Sequence, residues 1–407
     1  MSYRKFFAAT LVVLAAFLPR GASALAADSL VVTPLRSERA ERDCSETVSN
    51  GCRVIRNYIA SEIRGRLDAK TNVWRDGDAL TFAIRVKAES VDLSGGIQYP
   101  MSRLEGTDIW VVTIRIKDIE RATVSYFFIP QGPGLKMPER FAAQTWRGPD
   151  APPAPEQSST LRGRITVDTL PGRYLPEPRA IVVYEPPVMG NEPIAGVVYL
   201  GDGGSVKSLA PVIDTLITTG KMQRVLLVGI PSGMADAGSA PGKDYRAMEY
   251  LWGFEEGNAR FLAHEKFFLN EVIPHAESRY GAPRDRSRRA TWGISNSAAW
   301  AIEMGARHPD VIGNVLAFSP GGSHGELRAD MKFAPTVRYF LQGGTLEPPF
   351  HRNAMAWSVS LRSRGAEAEF HEVIAGHDWE VWKQRFPEAV MWAFAKPSGA
   401  GTASSGN

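Results

Sequence analysis

Two hydrophobic patterns divide the chain, and the first predicts strands with one buried face. Between residues 71 and 130, apolar positions alternate with others, as in Leu80, Phe82 and Ile84. Alternation with a period of two is typical of a half-buried sheet. Runs rich in β-branched and aromatic residues at 110–116 and 122–129 continue the pattern. We therefore expect a small all-β sandwich over residues 27–147.

One amphipathic helix is expected beside this sheet. Several apolar residues between positions 50 and 67 fall roughly on one face of a helix, with arginines elsewhere. Such spacing indicates a helix that buries one stripe. The residues of that face are Val54, Ile55, Tyr58, Ile59 and Ile63.

After residue 160, short continuous apolar runs alternate with longer helical stretches. Continuous apolar runs are typical of strands buried on both faces of a parallel sheet. We expect strands at 180–184, 196–200, 225–229, 289–293, 314–318, 337–341 and 369–374. Helices are expected at 258–280, 297–308, 353–364 and 380–394. This alternation predicts an α/β-hydrolase-like domain over residues 161–396, with a mostly parallel sheet and helices on both faces.

Two stretches lie between or beyond these domains. Residues 148–160 are rich in proline, which fits neither a helix nor a central strand, so we place a linker there. Residues 397–407 are small and polar, and they predict a disordered tail.

The amino-terminal segment has the pattern of an export signal. Arg4 and Lys5 precede an apolar run at 6–18, and Ala-x-Ala sites follow it. We interpret residues 1–26 as a cleaved signal peptide, with a retained membrane anchor as the alternative. The run is shorter than the roughly 20 residues that cross a bilayer. The protein is therefore expected in the periplasm or, alternatively, outside the cell, with no membrane span after cleavage.

Composition narrows the function classes. The net charge is only +3, and the sequence has no basic stripe of the kind that binds nucleic acid. The two cysteines, Cys44 and Cys52, lie close together, and export permits a disulfide between them, with two free thiols as the alternative. No His-Glu-x-x-His pattern or other complete ligand set is present, so we expect neither a metal nor a cofactor.

A candidate nucleophile lies between a predicted strand and a predicted helix. The segment Gly293-Ile294-Ser295-Asn296-Ser297 has the strand, tight turn and helix of a nucleophile elbow. The usual pattern ends in glycine, which Ser297 replaces here. The alternative is an ordinary loop in which Ser295 or Ser297 caps the helix. We predict Ser295 as the nucleophile.

The order nucleophile, acid, histidine then selects the other catalytic candidates. His377 follows the last predicted strand and suits a general base. Glu347 follows the strand at 337–341 and is the best-placed acid, because Asp378 adjoins the histidine in sequence and would reach its Nδ1 with difficulty. An enzyme that uses a Ser–His dyad without Glu347 is the alternative.

Glycines after the strand at 196–200 provide candidate oxyanion donors. They let the backbone approach a substrate oxygen closely. We predict that the N–H groups of Gly203 and Asn296 form the oxyanion hole. Gly204 is the alternative to Gly203. The other alternative is a glycine-rich turn without a catalytic role.

Together these segments resemble a known family. Residues 200–204, 245–250, 270–274, 293–297 and 376–382 resemble the esterase D type of α/β-hydrolase in order and spacing. Residues 103–110 and 122–128 are similar to the amino-terminal domain of ferric enterobactin (enterochelin) esterases. The whole layout is thus identified as enterochelin esterase-like.

The resemblance implies a substrate and further site residues. It implies hydrolysis of a trilactone catecholate siderophore, as its ferric complex, through an acyl-enzyme on Ser295, with release of iron. Arg246 and Trp379 would then bind this small-molecule ester, although Arg246 could instead pair with Glu249. The alternatives are an exported carbohydrate esterase for feruloyl or acetyl groups, and a non-catalytic ferric-siderophore-binding protein. The sequence leaves open the oligomeric state and whether transfer to an acceptor competes with hydrolysis.

Overall fold

The computed structural model describes residues 43–132, 143–233, 244–322, 325 and 327–395. The predicted signal peptide (1–26) and the predicted tail (397–407) lie outside these residues. The described chain forms an all-β half followed by an α/β half. The expected fold class is therefore confirmed.

Two antiparallel sheets form the first half. Their strands are β1 (Cys52–Arg53), β2 (Val73–Asp76), β3 (Ala79–Arg85), β4 (Ser90–Gly95), β5 (Tyr99–Pro100), β6 (Ser102–Arg103), β7 (Ile109–Arg115), β8 (Thr123–Gln131) and β9 (Gln144–Arg147). One sheet has the order β1-β7-β3-β2, with β6 also paired to β7, and the other has the order β5-β4-β8-β9. Phe82, Val112 and Phe128 belong to one hydrophobic cluster shared by both sheets, so the two sheets form a sandwich.

The prediction of a helix at 50–67 is wrong for the first half of that range. The observed helix α1 is Ala60–Asp68, and Ile55 and Ile59 are exposed. Upstream, the backbone N–H of Val54 donates to the Thr113 carbonyl of β7 at 2.8 Å. Hydrogen bonds to β7 thus satisfy the backbone of this segment, and they outweigh the helical spacing of its apolar residues. A disulfide joins Cys44 and Cys52 next to β1.

A single eight-stranded sheet organises the second half. Its strands are β10 (Arg164–Leu170), β11 (Arg179–Glu185), β12 (Gly196–Gly201), β13 (Val225–Ile230), β14 (Arg289–Ile294), β15 (Asn314–Phe318), β16 (Arg338–Gly344) and β17 (Ala368–Val373). The order is β10-β11-β13-β12-β14-β15-β16-β17, and the pairs from β13 through β17 are parallel. All seven expected strands are present. Strand β10 escaped prediction because it is an edge strand that keeps exposed positions and has no continuous apolar run.

Helices cover both faces of this sheet, where they form two separate hydrophobic clusters. They are α2 (Val206–Thr218), α3 (Tyr245–Tyr250), α4 (Ala259–Phe267), α5 (Ile273–Tyr280), α6 (Asn296–Arg307), α7 (Pro348–Ser363) and α8 (Trp379–Phe394). The helix expected at 258–280 is interrupted by a π-helical turn at Phe268–Val272, just before Pro274. The helix expected at 353–364 begins earlier, at Pro348, because proline is well suited to the first turn.

The proline-rich residues 148–160 contain no helix or strand. They lie along the second half: Lys383 Nζ donates to Gln157 Oε1 at 2.7 Å, and the Ser158 N–H donates to Thr215 Oγ1 at 2.9 Å. Their role as a domain linker stays a prediction.

Within the described ranges, no helix combines the length and the apolar character that a membrane crossing requires.

We predict that the disulfide stabilises the fold. Replacing Cys44 and Cys52 together with serine should lower the free energy of unfolding by about 2–3 kcal/mol, because the unfolded chain regains the entropy of a short closed loop. Urea unfolding followed by circular dichroism measures this loss, and the wild type under reducing conditions should match the variant. Equal midpoints and slopes for the oxidised wild type and the variant would contradict the prediction.

Candidate active site

Ser295 occupies the strained turn between β14 and α6. Its backbone has φ 55° and ψ −123°, a conformation that non-glycine residues rarely adopt. Two hydrogen bonds hold it there: the Ser295 N–H donates to the Phe318 carbonyl at 3.1 Å, and its own carbonyl accepts from the Gly321 N–H at 3.0 Å. A Cβ at Gly293 would lie 2.0 Å from the Ser297 carbonyl oxygen, so this turn also requires glycine at 293. This is the geometry of a nucleophile elbow.

Ser297, which replaces the usual glycine, fits because the opposite strand has no side chain. A Cβ at Gly201 would lie only 2.5 Å from the Cβ of Ser297. The Ser297 hydroxyl donates to Asp202 Oδ2 at 2.7 Å and accepts from the Ile294 N–H at 2.9 Å. The departure from the family pattern therefore gives the elbow an additional link to the loop after β12.

The predicted acid and base lie in direct contact. Nδ1 of His377 is 2.6 Å from Oε2 of Glu347, and the Glu347 side chain is 1% exposed. A proton on Nδ1 that points at a carboxylate leaves Nε2 as the basic ring nitrogen. Glu347 follows β16 and His377 follows β17, at the edge where β14 delivers Ser295. The structure thus brings all three predicted residues to one end of the parallel sheet.

The second oxygen of Glu347 is also occupied. Oε1 accepts from the Ser319 hydroxyl at 2.5 Å and from the Gly344 N–H at 2.9 Å. Ser319 is completely buried, and its hydroxyl accepts in turn from Trp382 Nε1 at 3.0 Å. Burial of a carboxylate is tolerated when donors surround it. These contacts orient Glu347 toward His377.

Arg246 forms a two-point ion pair with Asp202. Its Nε and Nη2 atoms lie 2.7 and 2.6 Å from the two carboxylate oxygens. Burial lowers the pKa of Arg246, but the Asp202 carboxylate more than offsets this, so the pKa lies above its ordinary value. The alternative partner, Glu249, is bound to Arg179 instead, so that alternative is wrong. Arg246 and Asp202 thus place a balanced ion pair next to the elbow.

The oxyanion candidates lie at the expected places. Asn296 is the first residue of α6, directly after Ser295. Gly203 opens a short 3-10 turn and is buried against β13, where an added Cβ would lie 2.6 Å from the Gly229 backbone. Gly204 faces open space instead. The assignment of the donors stays a prediction.

In the parts of the chain that the structure describes, no cluster of three or more His, Cys, Asp and Glu side chains could hold a metal.

A family model described as "Putative esterase" matches residues 172–393. The chain belongs to this esterase family. It is a carboxylic ester hydrolase.

Solved structures of esterases share the fold of this chain over both halves. The enterobactin esterase from Shigella flexneri, crystallised in the presence of enterobactin, has a TM-score of 0.59 at 18% identity, covering 79% of this chain and 95% of that chain. The ferric enterobactin esterase from Salmonella typhimurium gives the same four values. A CE1 ferulic acid esterase from Anaeromyces mucronatus is 19% identical over 59% of this chain and 93% of its own, with a TM-score of 0.47. No curated protein matches the sequence significantly. The predicted resemblance is confirmed for the fold.

Aromatic rings hold the imidazole of the esterase. Phe350 stacks on His377 with centroids 4.2 Å apart, and Trp382 meets the ring edge-on at 4.6 Å. Trp379, the predicted substrate-binding residue, is half-buried against the hydrophobic cluster below α8. Its contact with substrate stays a prediction.

Sequence reasoning missed the side chains that support the catalytic candidates. Ser319 and Phe350 carry no motif, and their functions depend on how β15, β16 and α7 are placed in the sheet. Asp202 lies within the glycine-rich segment, but nothing in the sequence paired it with Ser297 and Arg246. The one available signal was position, since Asp202 and Ser319 each directly follow a strand at the same end of the sheet.

We predict that Glu347→Gln lowers kcat by about 10²–10⁴-fold. The glutamine oxygen can replace Oε1 opposite Ser319 and Gly344, which turns its NH2 group toward His377. The imidazole would then favour the tautomer that cannot accept the proton of Ser295. Hydrolysis of p-nitrophenyl acetate at saturation measures kcat. An unchanged kcat would support a Ser–His dyad and contradict the triad.

Ser319→Ala should lower kcat by about tenfold, because one hydrogen bond to a buried carboxylate is lost. The same assay measures it, and Ser363→Ala is a matched control that removes a surface hydroxyl from α7. A loss of equal size in the control would show that the effect is not specific to Glu347.

Proposed function

We propose that this esterase hydrolyses the ester bonds of a trilactone catecholate siderophore, taken as its ferric complex, and thereby releases iron. The observation that carries the proposal is the Glu347–His377 pair at the edge of the sheet that holds the strained Ser295. Such a set of groups is suited to acyl transfer through a covalent intermediate.

The chemistry follows from the roles of these side chains. His377 Nε2 takes the proton of the Ser295 hydroxyl as its oxygen attacks the ester carbonyl. The N–H groups of Gly203 and Asn296 would stabilise the oxyanion that forms. His377 then returns the proton to the leaving alkoxide, which departs as an alcohol. Water, activated by the same imidazole, releases the carboxylic acid and restores Ser295.

The choice of a catecholate substrate has two supports. Over 79% of this chain, the fold is shared with an esterase crystallised in the presence of enterobactin and with another named for ferric enterobactin. In addition, the Arg246 guanidinium lies next to the elbow, with Nη2 3.4 Å from the Ile294 carbonyl. A guanidinium held there offers N–H donors to a ligand rich in oxygen atoms, while Asp202 balances its charge.

The expected site of action is the periplasm. The signal-like residues 1–26 and the Cys44–Cys52 disulfide both fit an oxidising, exported setting. Release of the protein by osmotic shock, with its mass reduced by the signal segment, would support this location. Retention of the full mass in the cytoplasmic fraction would contradict it.

The experiment compares the wild type, Ser295→Ala and the surface control Ser363→Ala on three kinds of ester. These are the trilactone with and without iron, feruloylated sugars and acetylated sugars, with products separated by chromatography. We expect ring opening that Ser295→Ala abolishes and Ser363→Ala preserves. Cleavage of sugar esters alone would replace the proposal with a carbohydrate esterase. Tight ferric-siderophore binding without any cleavage would indicate a binding protein.

A further inference from the structure

The loop that carries His377 rests on the β-sandwich. This base loop, residues 374–378, connects β17 to α8. The Thr123 N–H of β8 donates to the Ile374 carbonyl at 3.0 Å. A Cβ at Gly376 would lie 1.5 Å from the carbonyl oxygen of Gly96, so the two backbones are in close contact. The amino-terminal half is therefore in direct contact with the residues on either side of the base.

Asp378 makes the most specific of these contacts. Its carboxylate is almost fully buried and accepts twice from Ser125 of β8: Oδ2 from the N–H at 2.6 Å and Oδ1 from the hydroxyl at 2.7 Å. Oδ1 also accepts from the Glu380 N–H at 2.9 Å, which caps α8. Burial raises the pKa of Asp378, and the hydrogen bonds from Ser125 oppose that rise.

Helix capping alone does not account for this arrangement. A cap needs one carboxylate oxygen, and here the other oxygen belongs entirely to the sandwich. The acid is supported from the same side, since Leu346, which precedes Glu347, packs into the sandwich core. Asn50 Nδ2 also donates to the Thr345 carbonyl at 3.4 Å. The neighbours of both the acid and the base are thus held by the amino-terminal half.

We infer that the Ser125–Asp378 contact is a latch through which the β-sandwich positions His377 against Glu347. Asp378 is then a positioning residue, and the sandwich is part of the catalytic apparatus in addition to any role in binding substrate. The inference rests on the proposed function, because it assumes that His377 acts as the base for Ser295. It also means that a shift of β8 relative to the large sheet would change the rate of proton transfer.

Two variants separate the latch from the helix cap. The Asp378→Asn side chain has one oxygen, whereas the wild-type carboxylate uses two. Whichever way the amide is turned, one N–H group, that of Ser125 or that of Glu380, therefore loses its acceptor. Ser125→Ala removes only the hydroxyl and leaves the cap of α8 intact. Ser125→Thr restores a hydroxyl and should rescue activity. The control is Ser363→Ala, which deletes an exposed hydroxyl of α7.

The readouts need no siderophore. They are kcat and KM for p-nitrophenyl acetate, the rate at which a fluorophosphonate labels Ser295, and the pH profile of kcat/KM. We expect Asp378→Asn to lower kcat and the labelling rate by about ten- to a hundredfold, since small displacements of a catalytic group have effects of this order. KM should change little. The double variant Ser125→Ala/Asp378→Asn should lose less activity than the product of the two single losses, because the two residues belong to one hydrogen-bonded network.

The direction in which the pH profile of kcat/KM shifts is the most specific readout. A looser Glu347–His377 contact stabilises the imidazolium less, so the acidic limb of the profile should shift to lower pH in both variants. Labelling and pH profiles equal to those of the wild type in folded Ser125→Ala and Asp378→Asn would overturn the latch alone. A wild type that neither labels nor hydrolyses the ester would overturn the proposed function, and the role of Asp378 with it.

Discussion

The active site depends on keeping one carboxylate buried and correctly oriented. Glu347 is 1% exposed, so it needs hydrogen-bond donors for both of its oxygens. Ser319 and Gly344 occupy one oxygen, and His377 occupies the other. These donors come from the ends of three neighbouring strands, so the arrangement exists only when the parallel sheet is formed. The requirement to satisfy this buried charge is therefore what gives the imidazole a single orientation.

The same edge of the sheet explains why two structural halves form one site. Strands β14, β16 and β17 bring the nucleophile, acid and base to one end of the sheet, and the base loop also has partners outside the α/β half. Contacts with β8 and with the backbone of Gly96 supply them. Arg246 and Ser297 both bind Asp202 on the opposite side of the elbow. Ser295 thus lies between an acid–base side supported by the sandwich and a charged side held by Asp202.

Much of this could be predicted from sequence because several signals are local. Short apolar runs, most of them continuous, located the seven predicted strands, and chain order after the strands selected Ser295, Glu347 and His377. What escaped prediction depends on distant pairing. Residues 51–54 pair with β7 instead of forming a helix, and β10 is an edge strand whose residues are mostly exposed or half-buried. Ser319, Asp202 and Ser125 act through partners 28 to 253 positions away, which no local pattern encodes.

If Ser295 is the nucleophile, ester cleavage passes through a covalent bond to its side-chain oxygen. The most direct measurement is peptide mass spectrometry of the protein quenched in acid during turnover of a slowly deacylating ester. We expect an acyl group on the peptide that contains Ser295, formed more slowly when Glu347 is replaced by glutamine. Ester cleavage with no adduct at Ser295, or with the adduct on another residue, would contradict it.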